Sequence, residues 1–310
     1  MSWFRWGAAL GAALLAWVVG GALLADPPAE AQNPPIQFGH QQDAKYLPQP
    51  GNDPLYVLAI GSDYRPGQGD SVERSLADSI HLIGVNPKEG AASILGFPRD
   101  SYVPIPGSGS QKINNSLFIG GPELVVETVE ELVGVEIDYY LLTAFDGFRG
   151  MITDIGGIEV EIPYPMSDES SGAVFEAGPA TLDGPQALAL ARNRKDVPNG
   201  DFSRSENQGR LIVAALDQLQ RDVRRDPIRL FTWIVVGMQH LQTDLSLSEV
   251  FDLMLTALTI DPDQVTNRVV PGGIGTAGAA SVVTLGSEAD AVFADIADDG
   301  LLGPTATETE

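Results

Sequence analysis

The chain has 310 residues and a formal net charge of −24, because 42 acidic side chains outnumber 18 basic ones. This balance argues against nucleic acid as a partner, since nucleic-acid-binding proteins normally carry a basic patch. The chain has no cysteine, which excludes disulfides, zinc–thiolate sites and a cysteine nucleophile. Basic residues are scarce, so any local cluster of arginines needs an explanation.

The N-terminal region predicts a membrane anchor. Residues 6–25 (WGAALGAALLAWVVGGALLA) carry no charge, and about 20 apolar residues can cross a bilayer as a helix. Arg5 precedes this run, and a positive flank favours the cytoplasmic side. We therefore expect a single-pass protein of the cell membrane with an extracytoplasmic body. A cleaved signal peptide is the alternative, although the run is longer than a typical signal core of roughly 7–15 residues.

The composition divides the chain into four segments. Residues 1–25 are predicted to be a cytoplasmic stub and transmembrane anchor. Residues 26–53, rich in Pro, Gln, Asn and Ala, are predicted to be an extracytoplasmic linker. Residues 54–302 are predicted to form one folded catalytic domain, and residues 303–310 a flexible polar tail.

Strands and helices alternate along the body. Apolar runs predict strands at Leu55–Ile60, Ser79–Val85, Ala92–Phe97, Tyr139–Phe145, Ile158–Ile162, Arg268–Val270 and Val282–Leu285. Helical patterns predict helices at Pro122–Val133, Pro185–Arg192, Ile228–Leu241, Leu247–Leu258 and Ser287–Ala297. A short helix capped by Asp146 and a long helix opened by a Ser203–Glu206 capping box complete the set. The alternation predicts an α/β fold, a three-layer α-β-α sandwich around a central mixed sheet in a single domain.

Basic side chains recur at the ends of these elements or in Gly/Pro-rich loops: Arg65, Arg74, Arg99, Lys112, Arg192, Arg194 and Arg204. Acidic or amide side chains recur in the same segments: Asp63, Asp78, Asp100, Asp201 and Gln208. The turn at residues 86–90 (NPKEG) should place Asp78 roughly opposite Arg99 in a hairpin. Asp63 reaches the same end of the sheet if its strand is a neighbour. Arg204 and Gln208 are four residues apart and share one helix face.

An arginine cluster in so acidic a chain indicates a phosphate site, because planar guanidinium groups grip phosphate oxygens in pairs. Two nearby carboxylates favour a hard divalent cation. Mg²⁺ usually takes one or two carboxylates and bridges substrate phosphates, and Mn²⁺ is the alternative. A single Asp–Arg pair is more often an ordinary salt bridge, so the prediction requires Arg99, Arg192, Arg194 and Arg204 to converge.

At these residues the sequence resembles the LytR-CpsA-Psr family of cell-wall glycopolymer ligases. No single segment is specific, but the segments follow the family's order and spacing from about residue 54 to residue 219. The matching segments are GSDYRP (61–66), ADSIHLIGVNP (77–87), GFPRDSYVPIP (96–106), QKINNSLFIGGPE (111–123), IDYYLLTAFDGF (137–148), DIGGIEVEIP (154–163), LDGPQALALARNRKD (182–196) and DFSRSENQ (201–208).

The resemblance implies an enzyme, a phosphotransferase that moves a phosphate-linked glycan from a polyprenyl-pyrophosphate carrier to a peptidoglycan hydroxyl, with membrane lipid as a further partner. It implies Asp63 and Asp78 as Mg²⁺ ligands. It implies Arg99, Arg192, Arg194, Arg204 and Gln208 as pyrophosphate contacts, and matches Arg65, Arg74, Asp100, Lys112 and Asp201 less decisively. We take Asp201 as the candidate base for the acceptor hydroxyl, with Asp100 and Asp63 as alternatives.

The sequence departs from the family pattern at one position. Family members often have an arginine two residues before the second metal-site aspartate, where this chain has Leu76. Arg74 lies four residues before Asp78, so its role is open. Two other functions also stay open: a non-catalytic module that binds polyprenyl pyrophosphates, and a pyrophosphohydrolase that uses water as the acceptor. The sequence does not identify the glycan.

Overall fold

A computed structural model describes residues 53–67, 71–169, 171–195 and 197–303. The predicted anchor at residues 6–25, the linker before residue 53 and the tail from residue 304 lie outside the described residues. Within the described ranges, none of the helices has the length and apolar character needed to cross a membrane.

The described strands are mostly short, and several form small hairpins. Their bounds are β1 Leu55–Ser62, β2 Ala77–Asn86, β3 Ala91–Gly96, β4 Tyr102–Ile105, β5 Gly109–Lys112, β6 Tyr139–Ala144, β7 Ile158–Ile162, β8 Met166–Asp168, β9 Ala173–Phe175, β10 Gly178–Leu182, β11 Gln242–Thr243, β12 Val265–Val269, β13 Gly273–Ala277 and β14 Ala280–Thr284.

The described α-helices are α1 Asn115–Gly120, α2 Pro122–Val133, α3 Phe145–Asp154, α4 Gly184–Arg192, α5 Asp201–Arg225, α6 Arg229–His240, α7 Leu247–Ala257 and α8 Ser287–Asp299. Two short 3-10 turns lie at Val72–Arg74 and Pro262–Gln264. Proline at the first turn and a left-handed Gly134 bound α2, and a capping box at Asp183 opens α4.

A six-stranded mixed sheet forms the centre, in the order β11-β6-β1-β2-β3-β12. β1 pairs antiparallel with β2 and parallel with β6. β3 pairs antiparallel with β2 and parallel with β12. Because β1 and β2 run in opposite directions, the end of β1 and the start of β2 meet at one edge of the sheet.

Helices cover both faces of this sheet, as expected for an α/β fold. On one face, Leu58 and Leu82 pack with Val129 of α2 and Phe293 of α8. On the other face, Val57 packs with residues of α5 and α7. A further cluster joins β7 to α3, α4 and α6. The long helix α5 contributes to this cluster, to the second sheet face and to the cluster under α6, so the described chain forms one domain.

Two local predictions, both of helix caps, were wrong. Ser203 does not cap α5, which begins at Asp201; the Ser203 hydroxyl instead accepts a hydrogen bond from the Asn199 N–H at 3.1 Å. Asp146 does not cap α3, because this helix begins at Phe145. The strand predicted at 282–285 is present as β14, which begins two residues earlier and pairs with β13 in a hairpin outside the central sheet.

Candidate functional site

A cavity of about 200 Å³ opens at the end of β1. Its lining is almost entirely ionic: Asp63, Arg65, Asp78, Arg99, Phe145, Arg192, Arg194 and Arg204. Five guanidinium groups and two carboxylates therefore face one space, a balance of +3, although the whole chain carries −24. Concentrated positive charge of this kind attracts a polyanionic ligand.

The sheet topology brings the two carboxylates together. Asp63 directly follows β1, and Asp78 is the second residue of β2. Asp63 is held at this edge because its N–H donates to the Leu76 carbonyl at 2.9 Å and its Oδ1 accepts from the Leu76 N–H at 3.0 Å. The neighbouring antiparallel strands thus place both side chains in one cavity.

Asp78 organises two of the arginines. Its Oδ1 accepts from Arg99 Nη1 at 2.6 Å and from Arg204 Nη1 at 3.0 Å. Arg99 comes from the loop after β3, as expected for its place in the hairpin, and Arg204 comes from the first turn of α5. Arg204 also pairs through Nη2 with Asp201 at 2.6 Å. These pairs join the sheet to α5 at the cavity.

Burial dominates the electrostatics here. The Arg204 side chain is only 3% exposed, and its desolvation lowers the pKa of the guanidinium, although Asp78 and Asp201 oppose this effect. Burial likewise raises the pKa of Asp63, and the negative charge of Asp78 adds to this rise, whereas the hydrogen bond from Leu76 opposes it. The negative charge of Asp78 next to Asp63 favours a cation between the two carboxylates.

Phe145 is a cavity residue that the sequence did not reveal. The Arg192 guanidinium lies over its ring at 4.7 Å from the centroid, and that of Arg65 lies at 5.7 Å. Both distances are typical of cation–π contacts. The feature that could have identified Phe145 as a cavity residue is its position directly after β6, the parallel neighbour of β1.

Five of the predicted site residues do not line this cavity: Arg74, Asp100, Lys112, Asp201 and Gln208. Arg74 donates from Nη1 to the Ile119 carbonyl at 2.7 Å, which answers the open question of where its side chain reaches. Lys112 pairs with Asp100 at 3.1 Å. Their binding roles and that of Asp201 are not supported by direct contact with the cavity.

Gln208 lies behind the cavity rather than in it. Its Nε2 donates to the Ala191 carbonyl at 2.9 Å and to the Asp78 carbonyl at 3.4 Å. The amide donors of this side chain are therefore directed to backbone carbonyls of α4 and β2. This arrangement makes Gln208 a support for Asp78 and for the exit of α4, from which Arg192 and Arg194 extend.

The donor set fits a magnesium ion. Within the described residues, no group of three or more His, Cys, Asp or Glu side chains could enclose a metal by itself. Asp63 and Asp78 nevertheless share the cavity, and Mg²⁺ is commonly held by one or two carboxylates together with water and substrate phosphates. A metal site completed by a phosphate ligand suits this cavity better than an all-protein cage.

A family model identifies the family of this chain. A family model described as the LytR_cpsA_psr family matches residues 28–295. The chain belongs to this family. The match covers most of the chain, including the whole cavity lining.

Curated relatives carry a consistent name. The chain is 33% identical over 211 residues to the polyisoprenyl-teichoic acid–peptidoglycan teichoic acid transferase TagT of Bacillus subtilis (strain 168), covering 66% of this chain and 64% of TagT. It is 36% identical over 167 residues to TagU of the same organism, covering 54% of this chain and 52% of TagU. The chain thus spans between about half and two thirds of the length of these relatives.

Solved structures share the fold. TagV of B. subtilis superimposes with a TM-score of 0.66 at 24% identity, covering 79% of this chain and 95% of that chain. A structure of TagT bound to LI-WTA gives a TM-score of 0.65 at 25% identity, covering 83% and 94%. The single α/β domain with its central mixed sheet is therefore confirmed.

Proposed function

We propose that this protein is a phosphotransferase that moves a phosphate-linked glycan from a polyprenyl-pyrophosphate carrier to a hydroxyl of peptidoglycan. The observation that carries the proposal is the cavity in which five arginines and two aspartates converge. The names of TagT and TagU, which describe transfer of teichoic acid to peptidoglycan, support the same class of reaction.

The charge of the cavity suits a pyrophosphate. Arginine binds phosphate oxygens in bidentate pairs and stays charged at all physiological pH values. Arg192 and Arg194 approach from the exit of α4, whereas Arg99 and Arg204 approach from the Asp78 side. A diphosphate placed between these two groups would meet guanidinium donors on both sides.

The transfer needs one bond to form and one to break. The oxygen of an acceptor hydroxyl attacks the phosphorus atom that carries the glycan, and a new O–P bond forms. The bond from this phosphorus to the bridging oxygen breaks, and polyprenyl phosphate leaves with that oxygen. The arginines stabilise the negative charge that spreads over the phosphate oxygens during this exchange.

Asp63 and Asp78 would hold the Mg²⁺ ion. When bound, the ion supplies further charge neutralisation at the phosphate oxygens. Asp78 also fixes Arg99 and Arg204, so its carboxylate serves both the arginines and the metal site. Mn²⁺ has similar ligand preferences for oxygen donors and is the alternative ion.

The proton of the acceptor hydroxyl must go to a base within hydrogen-bond reach. Of the three candidates, Asp201 is paired with Arg204, Asp100 is paired with Lys112, and Asp63 faces the cavity. Position in the cavity therefore favours Asp63, rather than Asp201, as the base.

We also propose that the body works outside the cell, next to the membrane that holds its lipid-linked donor. The uncharged run at residues 6–25 and the preceding Arg5 support a single-pass anchor with this orientation. On this view membrane lipid is a partner, residues 26–53 form the linker, and residues 54–302 form the catalytic domain.

The test is transfer by the purified full chain in detergent. A polyprenyl-pyrophosphate-linked saccharide serves as donor, peptidoglycan fragments serve as acceptor, and products are identified by mass spectrometry with and without Mg²⁺. Asp63→Asn and Asp78→Asn should each lower the transfer rate by at least about 100-fold, because each removes charge that organises the phosphate site. Asp217→Asn is the matched control, because Asp217 is also paired with an arginine. Its partner is Arg221, and both residues belong to the long helix α5.

The products separate the three functions. Glycan joined through phosphate to peptidoglycan supports the proposal. Free phosphosugar in the presence of acceptor would identify a pyrophosphohydrolase. Donor binding without any product, unaffected by Asp63→Asn, would identify a lipid-binding module and would refute the enzyme.

A further inference from the structure

We propose that His81 is a positioning residue, which ties β2 to α5 so that Asp78 and Arg204 meet at the cavity. The importance of this role for catalysis rests on the proposed function. The hydrogen-bond arrangement itself does not, and it can be tested separately.

His81 is completely buried between the sheet and the long helix. Its Nε2 lies 3.0 Å from the Ser205 carbonyl oxygen of α5, and its Nδ1 lies 3.0 Å from Ser79 Oγ of β2. A carbonyl can only accept, so Nε2 carries the proton and donates it. Nδ1 is then the acceptor of the Ser79 hydroxyl, and this pair of bonds fixes one tautomer.

The partners of His81 are the immediate neighbours of the site residues. Ser79 follows Asp78 on β2, and Ser205 follows Arg204 on α5. The imidazole therefore bridges the two backbone segments from which the 3.0 Å ion pair between Asp78 and Arg204 extends. Loss of this bridge would let α5 shift along β2, and such a shift would change the distance between Asp78 and Arg204.

The space for this bridge depends on Gly96. A Cβ at this position of β3 would lie 2.9 Å from His81 Nε2 and would overlap Ser205 Oγ. Real Cβ atoms essentially never approach neighbours so closely, so Gly96 allows the ring to fit between β3 and α5. The His81 ring, Gly96 and Ser205 are therefore closely packed against one another.

The role of His81 is positional rather than acid–base. Its side chain is fully buried and does not line the cavity. Burial lowers the pKa of His81 to about 4, and the positive charge of Arg204 adds to this effect, whereas the bond to Ser205 opposes it. The imidazole therefore stays neutral at the pH of the cell surface.

The chain offers two informative substitutions and a matched control. Gln in His81→Gln can still donate to the Ser205 carbonyl, whereas Leu in His81→Leu has a similar size and cannot. Asn267 of β12 donates from Nδ2 to the next carbonyl of α5, that of Glu206, at 3.0 Å. Asn267→Ala thus removes a bond of the same kind from the same helix, on the side away from Asp78.

The first measurement is the affinity of the full chain for inorganic pyrophosphate in the presence of Mg²⁺, by calorimetry, followed by KM and kcat for transfer. His81→Leu should weaken pyrophosphate binding roughly 2- to 10-fold, the effect of one net hydrogen bond. His81→Gln should stay within about twofold of the parent. Asn267→Ala should lower the melting temperature but leave pyrophosphate affinity unchanged.

Equal losses in His81→Leu and Asn267→Ala, or no rescue by Gln, would overturn the positioning role. The second measurement is independent of any ligand: nitrogen-15 NMR of the histidine rings, with the His81 signals assigned by their loss in His81→Gln. A protonated Nε2 and a bare Nδ1 support the bridge, and the opposite tautomer refutes it. If transfer failed in every protein while this tautomer was observed, the proposed function would fail and the bridge would stand.

Discussion

The buried His81 predicts an acid-sensitive component of stability. Its pKa in the folded protein is about 4, against an ordinary value of 6.5. At pH values between these two pKa values, His81 binds a proton in the unfolded chain but not in the folded chain. The free energy of unfolding therefore falls as pH falls. The contribution of neutral His81 to the free energy of unfolding is fully present above pH 6.5 and is completely lost below pH 4.

The size of this effect follows from the difference between the two pKa values. One pKa unit corresponds to about 1.4 kcal/mol, so the complete loss is about 3 kcal/mol, of which about 2 kcal/mol is lost between about pH 8 and pH 5. This is a large fraction of the stability of a typical domain, which is about 5–15 kcal/mol.

The assay is urea unfolding of the full chain in detergent, followed by circular dichroism over this pH range, for the parent protein and for His81→Gln. The comparison with Gln is necessary because burial raises the pKa of Asp63, Asp138 and Asp244. Raised carboxyl pKa values have the opposite sign and favour folding at low pH, but they are common to both proteins. The parent should lose about 2 kcal/mol more than the variant by pH 5, and parallel profiles would refute the reasoning.

Three other substitutions test the packing and the site. Gly209→Ala should lower the free energy of unfolding by about 1–3 kcal/mol, because its Cβ would overlap Asn267 Oδ1; unchanged urea unfolding would contradict this close approach. Asp183→Ala should cost about 1 kcal/mol in the same assay through loss of the α4 capping box, and an equal stability would show that the cap is dispensable. Phe145→Leu should weaken pyrophosphate binding about 2- to 5-fold by releasing Arg192, measured by calorimetry, whereas unchanged affinity would remove Phe145 from the site.

The sequence predicted those parts of the site that depend on local geometry. The tight turn at residues 86–90 was enough to place Asp78 opposite Arg99, because hairpin register follows from the turn. Arg192 and Arg194 converge with Asp78 and Arg99 only because of the path that the chain takes between α4 and the sheet. A resemblance can suggest this path, whereas periodicity cannot. The roles of the residues in this cavity stay predictions.

Other features were beyond the reach of sequence patterns because they depend on contacts across the fold. Phe145 was read only as the end of a strand, since its two arginine neighbours come from distant segments. Gln208 shares a helix face with Arg204 as predicted, yet its amide bonds backbone carbonyls instead of facing the cavity. The role of His81 was not predictable, because its partner Ser205 lies on α5, whose approach to β2 the sequence does not specify.

The shared oxygen of Asp78 has a consequence for the entropy of ligand binding. Arg99 and Arg204 are already immobilised on Oδ1 before any ligand arrives. Freezing a flexible side chain during association costs about 0.5–1.5 kcal/mol, and here that ordering is completed when the chain folds. A diphosphate entering the cavity therefore meets a receptor whose two innermost cations are rigid from the start, and more of its interaction energy is left to hold it tightly.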